Sequence, residues 1–374
     1  MKVLLLSAYA AGSHVSWRQN LLAMLPEWDW TVLELPPRYF SWRVRGNPLY
    51  WSLAQRELLE QEYDLLLATS MVDLATLRGL VPGLSRAPAA LYFHENQFDY
   101  PPGKSRHSPL EARMVSLYAA LAADRLLFNS RYNMESFLQG CAGLLGRFPD
   151  KVPVGIPGRL AGKARVLPVP VDVAHLAEGI SRWPGTPGKA ERPLRLLWSG
   201  RFEHDKGGEQ LLAVLELLES SSVNYEVAVV GQQFRRSPPA FSAIPATFAH
   251  RLVHFGYVEQ RQDYHALLRG ADLVLSTALH EFQGLAVMEA VAAGCLPVVP
   301  DRLAYVELYP ERFRYRSVPD DPREEARAAV DCLIGTWRAL QQEEITAPDL
   351  QRFSLASMGP RYRSELACIN VCAG

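Results

Sequence analysis

The chain has 374 residues, 48% of them hydrophobic, enough for two domains that each bury a core. Its formal net charge is −1, so no global field calls for nucleic acid or an acidic partner, and any such surface must be a local patch. The five cysteines (Cys141, Cys295, Cys332, Cys368, Cys372) show no C-x-x-C spacing and no pairing with histidines, a pattern of reduced cytosolic thiols without structural zinc.

In chain order, Lys2–Ser7 predicts a first strand. The start loosely mimics a signal peptide, but its apolar core is too short and Gly12-Ser13 then opens a helix-like run. A helix is expected over about Trp17–Leu25, then strands at Leu65–Thr69, Ala89–Phe93 and Arg125–Asn129 with helical runs between them. From 179 to 193 the composition turns to Gly, Pro and charge, which predicts a linker. The alternation restarts with a strand at Leu194–Ser199, a helix over Gly208–Leu218 and strands at Tyr225–Val230 and near Leu252–Phe255. A helix at Asp263–Arg269, a strand at Leu273–Thr277, a helix ending at Gly294 and a strand at Leu296–Val299 follow. No stretch approaches a membrane span, and a cytoplasmic location is expected. Such alternation implies α/β domains with parallel sheets covered by helices and ligands beyond the carboxyl ends of the strands. Two such domains facing each other make a cleft.

Four strand-end loops carry candidate chemistry. Glu281 lies just before the helix that follows Leu273–Thr277, where free N–H groups make an anion site; Glu289 falls on that helix's packing face, where a carboxylate needs a hydrogen-bond partner. Two carboxylates bracketing an anion site suit a ligand with hydroxyls at both ends and phosphates between, the layout of a nucleotide sugar. The loop Ser199-Gly-Arg-Phe-Glu-His-Asp-Lys-Gly-Gly208 places Arg201 and Lys206 beyond a strand end and ahead of a helix, where two cations offset charge on a diphosphate leaving group without a metal. The alternative is a pair of solvated loop cations. Tyr9-Ala-Ala-Gly-Ser-His14 is a turn that lets backbone approach a phosphate or sugar. His94, Glu95, Asn96 and Gln97, at the end of Ala89–Phe93, suit bonds to sugar hydroxyls or a proton relay. No Asp-x-Asp pair and no P-loop signature occurs, so a metal-bridged diphosphate and P-loop phosphotransfer are not expected. Arg38-Tyr-Phe-Ser-Trp-Arg-Val-Arg45 interleaves arginines with aromatics, which reads as a loop fit for unpaired bases or as an ordinary amphipathic loop.

These motifs resemble the retaining glycosyltransferases of family 4, which have the GT-B fold. The resemblance rests on Gly200-Arg201, Lys206-Gly207 and Glu281 with Glu289, and it spans nearly the whole chain. More narrowly, the chain is similar to the tRNA-queuosine mannosyltransferases. The narrower markers are Ala8-Tyr-Ala-Ala-Gly-Ser-His14, Ser41-Trp-Arg43, Tyr92-Phe-His-Glu-Asn-Gln97, Phe128-Asn-Ser130, Asn133-Met-Glu-Ser-Phe137, Arg201-Phe-Glu-His-Asp-Lys206 and His280-Glu-Phe282. The resemblance implies two Rossmann-like domains facing across a cleft: 1–178 plus a returning helix at 350–374 for the tRNA acceptor, and 190–349 for the donor. It implies transfer of mannose from GDP-mannose to the cyclopentenediol of queuosine at the tRNA wobble position, with tRNA-Asp expected and no metal or other cofactor. Carried over by position, Arg201 and Lys206 hold the diphosphate and Glu289 the ribose. Glu281 with Phe282, Gln283, Gly284 and Leu285 holds mannose and phosphate, Gly12 and Ser13 close over the phosphates with Gly200 at the strand end, and His94 sits at the reacting centre. Gln283 and Ala286 depart from some family-4 members. The base is expected near Gly231, Gln232, Gly256 and Tyr257, and the acceptor near His14, Arg38, Trp42, Arg43, Arg45, Glu95, Asn96, Gln97, Asn129 and Ser130. The rivals are a family-4 transferase acting on a lipid-linked or surface glycan, a non-catalytic RNA-binding or nucleotide-sugar-sensing protein, and an epimerase of the same fold.

Overall fold

A computed structural model describes residues 1–99, 109–184, 192–234 and 237–372; the side chains of residues 109 and 370–372 are outside the description. Part of the expected 179–193 linker lies outside the described residues. Contacts divide the chain into Met1–Pro170 with Leu355–Gly374, and Val171–Ser354.

The first unit is built on six parallel strands: β1 (Lys2–Ser7), β2 (Asp29–Glu34), β3 (Leu65–Thr69), β4 (Ala89–Phe93), β5 (Arg125–Phe128) and β6 (Ala164–Val166), in the order β2-β1-β3-β4-β5-β6. Runs such as Leu65–Thr69 and Ala89–Phe93 are buried throughout, as parallel strands covered on both faces require. Helix α1 (Gly12–Met24) follows β1 and buries His14, Trp17 and Leu21, one helical face. Helix α2 (Phe40–Ala54) buries Val44, Asn47, Pro48 and Trp51. The expected loop at Arg38–Arg45 is therefore mostly the start of a helix; its apolar positions recur at helical spacing. The C-terminal helix Leu355–Cys372 packs on α1, where the Trp17 indole N–H donates to Tyr362 Oη at 3.0 Å.

The second unit holds β7 (Leu194–Ser199), β8 (Tyr225–Val230), β9 (Leu252–Gly256), β10 (Leu273–Leu275), β11 (Leu296–Pro300) and β12 (Arg314–Tyr315), all parallel, in the order β12-β11-β10-β7-β8-β9. The order reverses between β7 and β10. A doubly wound sheet opens its ligand crevice at such a point, beyond the carboxyl ends of the strands. Both units are Rossmann-like, and the chain has the α/β, GT-B fold. No described helix is long and apolar enough to cross a membrane.

Candidate active site

The β7 and β10 loops meet at that reversal. After β7 the chain passes Gly200 and Arg201, makes a short turn at His204–Lys206, and enters the helix Gly208–Glu219 through Gly207. After β10 it runs through Ser276 to Gly284 and enters the helix Leu285–Ala292. The two loops are stitched together. Leu279 and His280 amides donate to the Asp205 carbonyl at 2.9 and 3.1 Å, and Thr277 Oγ1 donates to the Lys206 carbonyl at 2.9 Å. Gly284 stands at φ 73°, and a Cβ there would come 2.7 Å from Tyr305 Cε1, so both backbone and space call for glycine at the helix start.

This stitching places Lys206 Nζ 2.9 Å from Glu281 Oε2, 3.1 Å from the His280 carbonyl and 3.3 Å from Asp205 Oδ2. Burial alone would neutralise both members of the Lys206–Glu281 pair, but their mutual field wins. The ammonium is held above its ordinary value by Glu281 and Asp205, and burial of the Glu281 carboxyl is outweighed by Lys206, which brings it down to about 2. Phe282 N–H donates to Glu281 Oε1 at 3.1 Å, and the Gly284 amide also supports that carboxylate. Two amides expected to face a donor thus close on Glu281 itself. The Gln283 side chain is buried, 3.5 Å from Met288 Sδ through its amide nitrogen, and Phe282 is buried edge-on to His280; both support the loop rather than presenting side chains to a ligand.

Arg201 is about half exposed beside this pair, 3.0 Å from Glu203 and 3.9 Å from Asp205. Glu289 accepts a 3.1 Å hydrogen bond from Tyr264 Oη, which lies 3.3 Å from Ser199 Oγ at the end of β7. Burial raises the Glu289 carboxyl above its ordinary value against the Tyr264 bond and Arg261. Tyr264 was missed in the sequence because one tyrosine on an amphipathic helix carries no signal of its own. The candidate base residues sit in two adjoining turns: the Gly231 amide donates to the Gly256 carbonyl at 2.9 Å, the Gln232 carbonyl accepts from Phe202, and Tyr257 is exposed.

In the first unit, Gly12 and Ser13 are exposed at the start of α1, and its first turn holds no acidic residue. His14 and His94 are buried and stacked, ring centroids 4.1 Å apart, with Trp17 edge-on to His94 at 4.8 Å. Burial, reinforced by His14, pushes the His94 imidazole well below its ordinary value, so it is neutral at working pH. Its Nε2 is buried without a hydrogen-bond partner among the described residues.

Three expected acceptor contacts need correction. Asn96, Asn129 and Ser130 are buried, and their polar groups hold the loop together around Asn133. Asn129 Nδ2 donates to the His94 carbonyl at 2.8 Å, Asn96 Nδ2 donates to Asn133 Oδ1 at 2.9 Å, and Ser130 Oγ caps the following helix by accepting from Asn133 N. Buried amides satisfy each other before a ligand arrives. Arg45 is likewise bridged to Asp73 at 2.7 Å and Glu111 at 3.2 Å, not a free cation. Glu95 and Gln97 are half-buried, their carbonyls accepting from Ser70 Oγ and Arg113 Nε. Arg38 and Trp42 are exposed, and Arg43 is half-buried. Among the described residues no group of three or more His, Cys, Asp or Glu is arranged to hold a metal ion.

Residues 2–171 match the family model described as the tRNA-queuosine alpha-mannosyltransferase N-terminal region, and residues 179–326 match the one described as glycosyl transferases group 1. The chain is 32% identical over 317 residues to a tRNA-queuosine alpha-mannosyltransferase of Drosophila melanogaster, covering 84% of this chain and 83% of the relative. The chain belongs to the tRNA-queuosine alpha-mannosyltransferase family. A GDP-mannose:cellobiosyl-diphosphopolyprenol alpha-mannosyltransferase of Xanthomonas oryzae is 26% identical over 179 residues, 47% of this chain and 44% of that protein. Among solved structures, a glycosyltransferase of Rickettsia africae superposes with a TM-score of 0.68 at 14% identity, covering 98% of each chain. A sucrose-phosphate synthase of Thermosynechococcus elongatus superposes with 0.65 at 15%, covering 100% of this chain and 97% of that one. At such identities the likeness speaks to the fold alone. Within the queuosine family, the stitched Lys206–Glu281 pair and the Tyr264–Glu289 contact are the geometry this member presents.

Proposed function

We propose that the protein transfers mannose, with retention at the anomeric carbon, from GDP-mannose to the cyclopentenediol of queuosine at the wobble position of a tRNA, in the cytoplasm. The observation that carries the reading is family membership spanning most of the chain, with the N-terminal match over 2–171 distinguishing it from generic group 1 transferases. In this reading Val171–Ser354 holds the donor and Met1–Pro170 with the C-terminal helix holds the acceptor.

Arg201 and Lys206 take the donor diphosphate, and Lys206 is charged before the donor arrives because Glu281 holds it so. A fixed cation stabilises charge developing on the leaving group without reorganising. Glu281 meets mannose hydroxyls as a carboxylate, and Glu289 meets the ribose. The bond from the anomeric carbon to the β-phosphate oxygen breaks as the bond to the queuosine hydroxyl oxygen forms on the same face. The hydroxyl proton passes to the departing phosphate, and GDP leaves. His94, neutral and with a ring nitrogen that has no partner among the described residues, offers a hydrogen bond to the sugar.

The deciding experiment compares transfer of labelled mannose from GDP-mannose to two matched tRNA-Asp molecules, one with queuosine and one with guanine at the wobble position. Label on the queuosine tRNA alone is the expected outcome. Label on neither, with GDP-mannose shown to bind, would overturn the acceptor assignment.

A pH profile tests the ribose contact. Donor affinity is expected to weaken as pH falls through the raised Glu289 value, since the protonated carboxyl accepts less well from a ribose hydroxyl. Tyr264→Phe removes a bond that favours the carboxylate, so the acid limb should move to higher pH. Calorimetric titration with GDP-mannose between about pH 4 and pH 8 reads this directly; superimposable profiles would remove Tyr264 from the site.

A further inference from the structure

Between Glu34 and Glu57 the sequence contains four arginines (Arg38, Arg43, Arg45, Arg56) and no acidic residue. The structure sorts them. Arg45 is bridged to Asp73 and Glu111, and Arg56 to Glu60 at 2.6 Å. Arg38 and Arg43 make no ion pair among the described residues. The Nε of Arg43 is shielded from solvent yet has no hydrogen-bond partner there, an unsatisfied charge-bearing group in want of an acceptor.

The same turn exposes aromatic rings. Tyr39 is 73% exposed and Trp42 is 55% exposed, with Phe40 beside them. Large rings left in water need a reason when they cluster. Tyr39 also holds a left-handed backbone at φ 55° ahead of α2, a conformation costing about 1 kcal/mol or more for a non-glycine residue. The Trp42 ring lies flat against Gly46, where a Cβ would come within 2.5 Å of it, so one ring face is fixed on the helix. Arg38 stands over the Tyr39 ring at 5.9 Å. The patch lies beside the candidate acceptor loops. Phe40 packs edge-on to Tyr9 at 6.0 Å, and the Ala10 amide donates to the Leu35 carbonyl at 2.9 Å, so it borders the carboxyl ends of β1 and β2 where α1 begins.

We infer that Arg38, Tyr39, Phe40, Trp42 and Arg43 form a platform for single-stranded RNA next to the modified nucleotide, the rings stacking on unpaired bases and the two arginines meeting phosphates. Charge complementarity selects this occupant: the patch offers unpaired cations and open rings together, and an RNA loop offers phosphates and open base faces together. The inference rests on the proposed tRNA acceptor and adds which surface grips it.

Tyr39→Gly separates this role from folding, because glycine accepts the left-handed backbone and deletes only the ring. Binding of an unmodified tRNA-Asp transcript, followed by anisotropy across a salt series, is expected to weaken about tenfold in this variant with the melting temperature unchanged or raised. Arg38→Gln with Arg43→Gln should flatten the slope of log affinity against log salt by about 1.4, roughly 0.7 per lost phosphate contact. With queuosine tRNA the loss should appear in the KM for tRNA, leaving the KM for GDP-mannose as it was. Wild-type affinity and slope in both variants would overturn the platform while leaving the transferase reading intact. Loss of self-association or of binding to anionic vesicles, with RNA affinity kept, would overturn it in favour of another occupant. A wild-type protein that binds tRNA but labels no queuosine tRNA would sink the acceptor reading and spare the platform.

Discussion

Lys206→Ala is expected to lower kcat for mannosyl transfer by about 10²–10³-fold, the loss typical when one fixed group opposite a developing oxyanion is removed. The ammonium sits among Glu281, Asp205 and the His280 carbonyl, held by the Thr277 and Leu279 links between two strand-end loops. Alanine removes the cation and its opposing field together. Glu281 then keeps its burial and loses its main counter-charge, so its carboxyl rises from about 2 toward and past its ordinary value. An acid limb absent from wild type should therefore appear in the rate profile of the variant. The sign for stability runs the same way. A carboxyl held below its unfolded value contributes stability above about pH 4.5 that fades only as pH falls toward about 2. The variant loses that contribution, about 2 kcal/mol for a pair this far out of water. Single-turnover rates with labelled GDP-mannose across pH, on protein shown folded by circular dichroism, decide it. A rate within a fewfold of wild type would remove Lys206 from leaving-group stabilisation.

Strand positions were the most legible part of the fold. β1, β3, β4, β7 and β8 have the bounds that their apolar runs predict, because a parallel strand covered on both faces is mostly apolar rather than alternating. β2, β6 and β12 went unread: Asp29–Glu34 begins and ends with acids on a sheet edge, and Ala164–Val166 and Arg314–Tyr315 are too short to show a period. α2 was hidden by its own start. Tyr39 occupies the cap position in a left-handed conformation without a capping hydroxyl or carboxylate, and Pro48 sits within the helix, so both usual signals pointed to a loop. At the candidate site, Arg201, Lys206, Glu281 and Glu289 were legible as candidates, but the contact between Lys206 and Glu281 depends on two loops meeting at the β7/β10 reversal, which no local pattern encodes. Polar clusters mislead in the opposite direction. Asn96, Asn129 and Ser130 read as ligand-ready because sequence shows donors and acceptors but not whether they already face each other and Asn133.

That amide cluster carries the second large effect. Asn133 is fully buried, and its Nδ2 donates to the Phe93 carbonyl at 3.0 Å and to Asn129 Oδ1 at 2.8 Å while its Oδ1 accepts from Asn96. Asn133→Ala leaves three buried polar groups short of a partner. At about 1–3 kcal/mol each, eased by the bonds that Asn96 Nδ2 keeps to the residue-133 carbonyl and Ser136 Oγ and that the Phe93 carbonyl keeps from the Asn129 amide, the loss should total about 3 kcal/mol. For a domain of this size that lowers the melting temperature by about 6–12 °C. Ser136→Ala, which removes only a half-buried partner, should cost under about 1 kcal/mol. The effect should also reach chemistry selectively. Asn129 holds the His94 carbonyl and is itself held by Asn133, so the variant loosens the loop carrying His94 while the Lys206 loops in the other unit stay as they are. The KM for queuosine tRNA should rise more than the affinity for GDP-mannose falls, because the donor loses at most the His94 contact and keeps its diphosphate and ribose contacts in the other unit. Calorimetric melting with paired titrations of donor and tRNA separates these expectations. Equal weakening of donor and tRNA would mean that the cluster supports the whole protein rather than one loop, and an unchanged melting temperature would mean that water replaces the carboxamide at little cost.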